Sequence, residues 1–274
     1  MRKLFKRNIA ITNEHGSWVF LLSPLLIGIF AGKNWSTSLT YLIIALLSGF
    51  LIRQPITIAL KIHFGRRSRK DLSAAVFWIL IYSAVGLLMV VGLVLRNVGF
   101  VLYLSIPGVF VFGWHLWLVS QRAERRQIGV EIVASGVLAL SAPAAYWTSV
   151  GETDPLGWWL WILTWLQSAA SIVYAYLRLE QRTWNEIPTV KSRLIFARRA
   201  MLYSGFNFGV TIFLSSLGLL QILIFTPYAL QFGETIWGTL NPAVGVKPIR
   251  IGLRQLSVST LFTILFIITW NIHP

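Results

Sequence analysis

The stretch TNEHGSWVFLLSPLLIG sets Glu14 and His15 side by side, immediately ahead of a long apolar run. A carboxylate beside an imidazole that titrates near neutrality can pass a proton or hold an anion. Arg53, in SGFLIRQPITIALK, is the second conspicuous group. A cation inside an apolar run is costly and must face the bundle interior, where it needs an anion, a carboxylate or several carbonyls. Pro55 follows two residues later; it removes a backbone donor, frees a carbonyl one turn earlier and favours a kink. Glu131, in RRQIGVEIVASG, lies about one turn into the apolar region. Glu14, His15 and Glu131 are therefore the candidates for acid–base chemistry. Arg53, Gln54, Lys61, Gln167, Arg178 and Asn207 are the candidates for holding a substrate, although each could equally make an ordinary interhelical contact. Among the acids, Asp71 in RRSRKDLSAAV reads first as a helix amino-terminal cap, and Glu14 could act likewise with Asn13 as its cap. His63, His115 and His273 show no ligand spacing, so neither a metal site nor a cofactor is expected.

The elements that must position these residues are set by composition. The chain has 274 residues, 56% hydrophobic and 12% charged, where soluble domains carry about 25% charged residues. Its apolar runs reach the roughly 20 residues a helix needs to cross a bilayer, and the period-two alternation of a membrane barrel is absent. The expected class is an all-α polytopic membrane protein in one transmembrane domain, with about nine spans: 17–32, 38–62, 74–95, 100–119, 128–149, 158–177, 201–217, 219–240 and 253–271. MRKLFKR ahead of the first run has the outline of a signal peptide. No small-residue cleavage site follows and further spans do, so it reads as the first span. The absence of cysteine excludes disulfides, iron–sulfur clusters and thiolate chemistry. A net charge of +15 would suggest nucleic acid in a soluble protein. Here it is better explained by basic residues collecting in cytoplasmic loops, and no nucleic-acid partner is expected.

Charge also orients the chain. With the amino terminus in the cytoplasm, Arg2 to Arg7, Lys61 to Lys70, Arg122 to Arg126, Arg178 to Arg199 and Lys247 to Arg254 all fall inside. Lys33 and Arg96 alone fall outside. That pattern requires 201–240 to cross twice, with SSLG as the turn, and puts the carboxyl terminus on the far side. The basic segment after Asn185–Pro188 is expected to lie along the membrane surface. Anionic lipid headgroups are the expected partners of the basic rim.

NEHGSWVFLLSPLLIG resembles the amino-terminal signature of the YwiC-like membrane proteins, and RQPITIALK, RKDLSAAVFW, YAYLRLE and KPIRIGLRQLSVSTLFTILF resemble later segments of that family. The resemblance implies a bacterial integral membrane protein, multi-pass in the inner or equivalent membrane, with no assigned activity. A more distant likeness is to the UbiA superfamily of intramembrane prenyltransferases, which implies a nine-helix bundle. This chain departs from that superfamily where its aspartate-rich motifs should stand, showing RQPITIALKIHFGRRSRKD and YAYLRLEQRTWNE instead. Two Mg²⁺ ions on a diphosphate need clustered oxygen ligands, so magnesium-dependent prenyl transfer is not expected. Two readings stay open. One is binding or processing of an isoprenoid or lipid-like molecule in a cavity open to the cytoplasmic side. The other is a non-catalytic accessory or assembly subunit of a membrane complex, or a small transporter, although the paired repeats of many transporters are not evident.

Overall fold

The computed structural model describes residues 5–11, 15–123 and 127–272, and every regular element in them is helical. Glu14 and its expected cap Asn13 lie outside the described residues, as does the side chain of His15. A short α1 (Arg7–Ala10) precedes α2 (His15–Gly32). The next apolar stretch forms α3 (Thr37–Leu51) and α4 (Arg53–His63), and a 3₁₀ turn at Arg69–Asp71 leads into α5 (Leu72–Leu95). A 3₁₀ segment, Gly99–Ser105, runs into α6 (Ile106–Ser120), followed by α7 (Ile128–Ala139) and α8 (Ser141–Val150). Then come α9 (Pro155–Gln181), α10 (Val190–Ser216), α11 (Phe225–Leu240) and α12 (Pro248–Asn271).

Among the described residues, six helical stretches are long and apolar enough to cross a membrane: Thr37–His63, Arg69–Leu95, Gly99–Ser120, Ile128–Val150, Pro155–Gln181 and Pro248–Asn271. The chain is an all-α, multi-pass membrane protein. Of the other expected crossings, Gly16–Gly32 is apolar but shorter, α10 has polar first turns and α11 has 16 residues.

Two crossings are broken, and proline explains both. Pro55 cannot donate to the Leu51 carbonyl, and the helix is interrupted at Ile52 between α3 and α4. Pro143 likewise leaves the Ala139 carbonyl without its donor, and α7 gives way to α8 at Leu140. The basic stretch expected along the membrane surface is instead part of α10, one continuous helix from Val190 to Ser216. Thr189 caps it, its hydroxyl accepting from the Ser192 amide at 3.4 Å, so nothing separates the basic turns from the apolar ones. Asp71 also differs from expectation. It opens α5 but makes no side-chain cap; its carboxylate accepts instead from Lys6 Nζ at 2.6 Å and Arg67 Nε at 2.7 Å. Two cations within reach are stronger partners for a carboxylate than backbone amides.

α2 stands at the centre, packed on α7, α8, α9 and α12, and α9 packs on α2, α7, α8, α10, α11 and α12. Leu25, Ile27, Trp147, Leu163, Tyr228 and Phe266 belong to the core between them. α5 is peripheral and bares Leu80, Leu87, Leu88 and Leu95. The tightest approach is α2 on α8: a Cβ at Gly28 would overlap the Ala142 backbone carbonyl, and one at Gly32 would overlap the Ser149 side chain. Alanine is favoured over glycine within a helix by about 1 kcal/mol, but overpacking costs about 1–3 kcal/mol. Gly28→Ala should therefore lower the thermal midpoint in mild detergent. Gly209→Ala, whose new methyl meets open space, should leave it unchanged or raise it.

Candidate functional site

The candidate residues stand in two groups. Arg53, Gln54 and Lys61 are on α4, which packs on α1, α3, α5 and α6. Gln167 and Arg178 are on α9, with Asn207 on α10 and Glu131 on α7 beside them.

In the first group, Arg53 opens α4 directly after the break at Ile52, half-buried, with its guanidinium 5.4 Å from the centre of the Phe50 ring. Gln54 Nε2 donates to the Asn8 carbonyl at 3.3 Å. Lys61 lies in the last turn of α4, where its carbonyl accepts from the Arg66 amide at 2.8 Å. Beside Arg53, an apolar groove of about 340 Å³ runs between α3 and α5. Ala45, Ser48, Gly49 and Ile52 line one wall; Tyr82, Ser83, Gly86, Leu87 and Val90 line the other. Small residues make the hollow, since Gly49 leaves space where any other side chain would stand. Leu87 is 65% exposed, so the groove opens sideways.

In the second group, most polar atoms are occupied within the bundle. Arg178, 6% exposed, donates from Nη1 to the Gly238 carbonyl at 2.6 Å, the Asn241 carbonyl at 2.7 Å and Gln181 Oε1 at 2.8 Å. It ties the last turn of α9 to the end of α11, whose final carbonyls have no partner within their own helix. Asn207 Nδ2 donates to the Leu166 carbonyl at 2.7 Å. The Gln167 carbonyl accepts from Gln231 Nε2 at 2.9 Å. Glu131 accepts from the Tyr176 hydroxyl at 2.6 Å. One turn before Arg178, the Tyr174 hydroxyl donates to Glu234 Oε1 at 2.9 Å. Arg254 grips the same carboxylate with two bonds, Nε to Oε1 at 2.6 Å and Nη2 to Oε2 at 2.8 Å, and its guanidinium lies 3.4 Å from the centre of the Trp237 ring. Gly238 permits this approach, because a Cβ there would overlap the Tyr174 hydroxyl.

Sequence reasoning missed the Glu234–Arg254 pair. The signal was available: Glu234 is one of nine acids and stands inside an expected span, where a charge demands a partner. The groove left no such trace, since apolar and small residues are common to every span.

Residues 11–146 match the family model described as YwiC-like protein. The amino-terminal half of the chain is thus similar to that family. The match contains α2 to α7 and the first part of α8, and with them Arg53, Glu131 and the whole α3–α5 groove; the Glu234–Arg254 pair lies beyond it. No curated protein and no solved structure matches the chain, so the likeness to the UbiA superfamily rests on sequence alone.

Arg178→Ala would leave the Asn241 carbonyl without its side-chain donor, and the Gly238 carbonyl and Gln181 Oε1 with only their longer bonds from Gln181 Nε2 and the Ala243 amide, in a buried setting. It should destabilise the protein by about 3 kcal/mol. Glu131→Gln, at an exposed bond, should stay within about 0.5 kcal/mol. Thermal unfolding of the purified variants separates the two.

Proposed function

We propose that this protein binds an isoprenoid or lipid-like molecule within the membrane, with the tail in the α3–α5 groove and a polar head oxygen held by Arg53. One observation carries the reading: an apolar groove of about 340 Å³ ends at Ile52, the residue before Arg53. Ligand sites are commonly concavities of about 300–1,000 Å³, mostly apolar, with a few placed polar groups that fix orientation. A cation at one end of such a groove suits an amphiphile better than an alkane. Gln54 and Lys61 follow Arg53 along α4 and extend the polar part of the site; the acid–base role expected of Glu14 and His15 falls on side chains outside the described residues. Gln167, Arg178 and Asn207 serve the packing of the other half in this reading. The basic end faces the cytoplasm, which places the amino terminus inside and the carboxyl terminus outside a bacterial inner membrane, and its rim contacts anionic lipid headgroups.

The accessory-subunit reading draws on a different observation. α5 belongs to the least buried of the six long apolar stretches, and a partner helix would cover it.

Gentle purification followed by mass spectrometry of retained small molecules decides between them. A stoichiometric amphiphile is expected, lost in Arg53→Ala and in Gly49→Leu. The second variant fills the groove without meeting another atom at its Cβ, so its thermal midpoint should hold within a few degrees. Co-purifying subunits with no retained amphiphile would instead support the accessory role.

A further inference from the structure

The end of the groove nearest Arg53 is closed by the chain's own amino-terminal segment. Ile9 is fully buried and Ala10 is 5% exposed, although both precede the first long helix. Ile9 sits between Ile58 and Ile62 of α4 and Ala74 and Ala75 of α5. The Ala10 carbonyl accepts from the Tyr82 hydroxyl at 2.9 Å, and Tyr82 is itself a wall of the groove. Next to Arg53, Gln54 donates to the Asn8 carbonyl at 3.3 Å. Beneath Tyr82, Trp78 stacks at 5.3 Å between ring centres, and the Phe5 ring meets Trp78 edge-on at 5.9 Å. Lys6 anchors the segment to Asp71 at 2.6 Å. The segment thus fills the gap between α4 and α5 on the basic side of the groove, while the groove stays open sideways at Gly49 and Leu87.

We infer that the groove takes its ligand from the bilayer rather than from water at the basic end, and that the ligand's head is compact and of low charge: a carbonyl, a phenol or a single carboxylate. A diphosphate or phospholipid headgroup brought in sideways would be stripped of water over its whole surface. That cost is large for a multiply charged group, and among the described candidate residues Arg53 is the cation that directly follows the groove's lining at Ile52. This inference rests on the groove being a ligand site for its chemical class, but the closure itself stands without any ligand.

The closure is read by spin-label accessibility in reconstituted protein, which the cysteine-free sequence makes clean. A nitroxide at Ser83→Cys should be relaxed by O₂ and hardly at all by a water-soluble nickel chelate. Adding Ile9→Asp should raise the nickel response severalfold, and Lys6→Ala, which keeps the apolar packing, should raise it less. A strong nickel response in the parent, or none after either change, overturns the closure. The ligand class is read separately by tryptophan quenching. A short-chain prenylated benzoquinone should bind saturably, at least tenfold more tightly than farnesyl diphosphate, and should lose that binding in Gly49→Leu. Tighter diphosphate binding, or binding of neither, overturns the compact-head class. If the spin label reports closure but no amphiphile is retained on purification, it is the ligand reading that fails and the closure that stands.

Discussion

A bilayer gives helices no hydrophobic reason to meet, so their association depends on how closely two backbones can approach. Here that approach is α2 on α8, where Gly28 and Gly32, spaced one turn apart, let the chain come against Ala142 and Ser149. A polar bond reinforces it, Ser141 Oγ donating to the Leu21 carbonyl at 3.2 Å, and Ser23 and Thr263 share a hydrogen bond at 2.5 Å that holds α12 on α2. Since α2 also touches α7, α9 and α12, its position on α8 sets the frame for the carboxyl-terminal helices. α8 in turn carries Trp147, whose indole donates to the Asp154 carbonyl at 2.7 Å and fills the space that Gly157 leaves. One close contact thus locates the start of α9, and α9 carries the polar groups.

Unmet backbone groups are the second constraint, since a bilayer offers no water to satisfy them. The Gly136 carbonyl, ahead of the break at Leu140, takes a donor from α9, Trp161 Nε1 at 2.8 Å, and Trp165 Nε1 adds a second bond one turn earlier at the Ile132 carbonyl at 2.9 Å. Arg178 performs the same service for the end of α11. Arg178 occupies a position that the sequence alone marks as a candidate for holding a substrate. The bonds of these three side chains are internal, and they tie α7, α9 and α11 to one another.

The α3–α5 side is built differently. Its helices are separated by small side chains, its outer face is apolar and exposed, and one short segment from the amino terminus wedges between α4 and α5. The break at Ile52 lets Arg53 start a new helix beside that space.

Much of this was legible in the residues. Length, apolar runs and sparse charge dictate a multi-pass helical protein because only such segments satisfy their backbone in lipid. Pro55 announced an interruption near Arg53 because proline cannot donate. The spread of cations announced a basic end. Other features were not legible. Nothing local to Ile9 says that it will be buried between α4 and α5, because a short apolar group ahead of a span could as well lie in the lipid. Nothing local to Arg178 distinguishes a ligand's oxygen from a backbone carbonyl as its partner. The sequence by itself determined that the long apolar segments are helical and that the second crossing bends beside Pro55, since those follow from each residue's own backbone and its solvent. The break ahead of Pro143 and the continuity of α10 were read only from the structure. Which helices meet, and therefore which polar groups are occupied and where a groove stays open, was decided only by the tertiary structure, because such contacts depend on pairs of residues far apart along the chain.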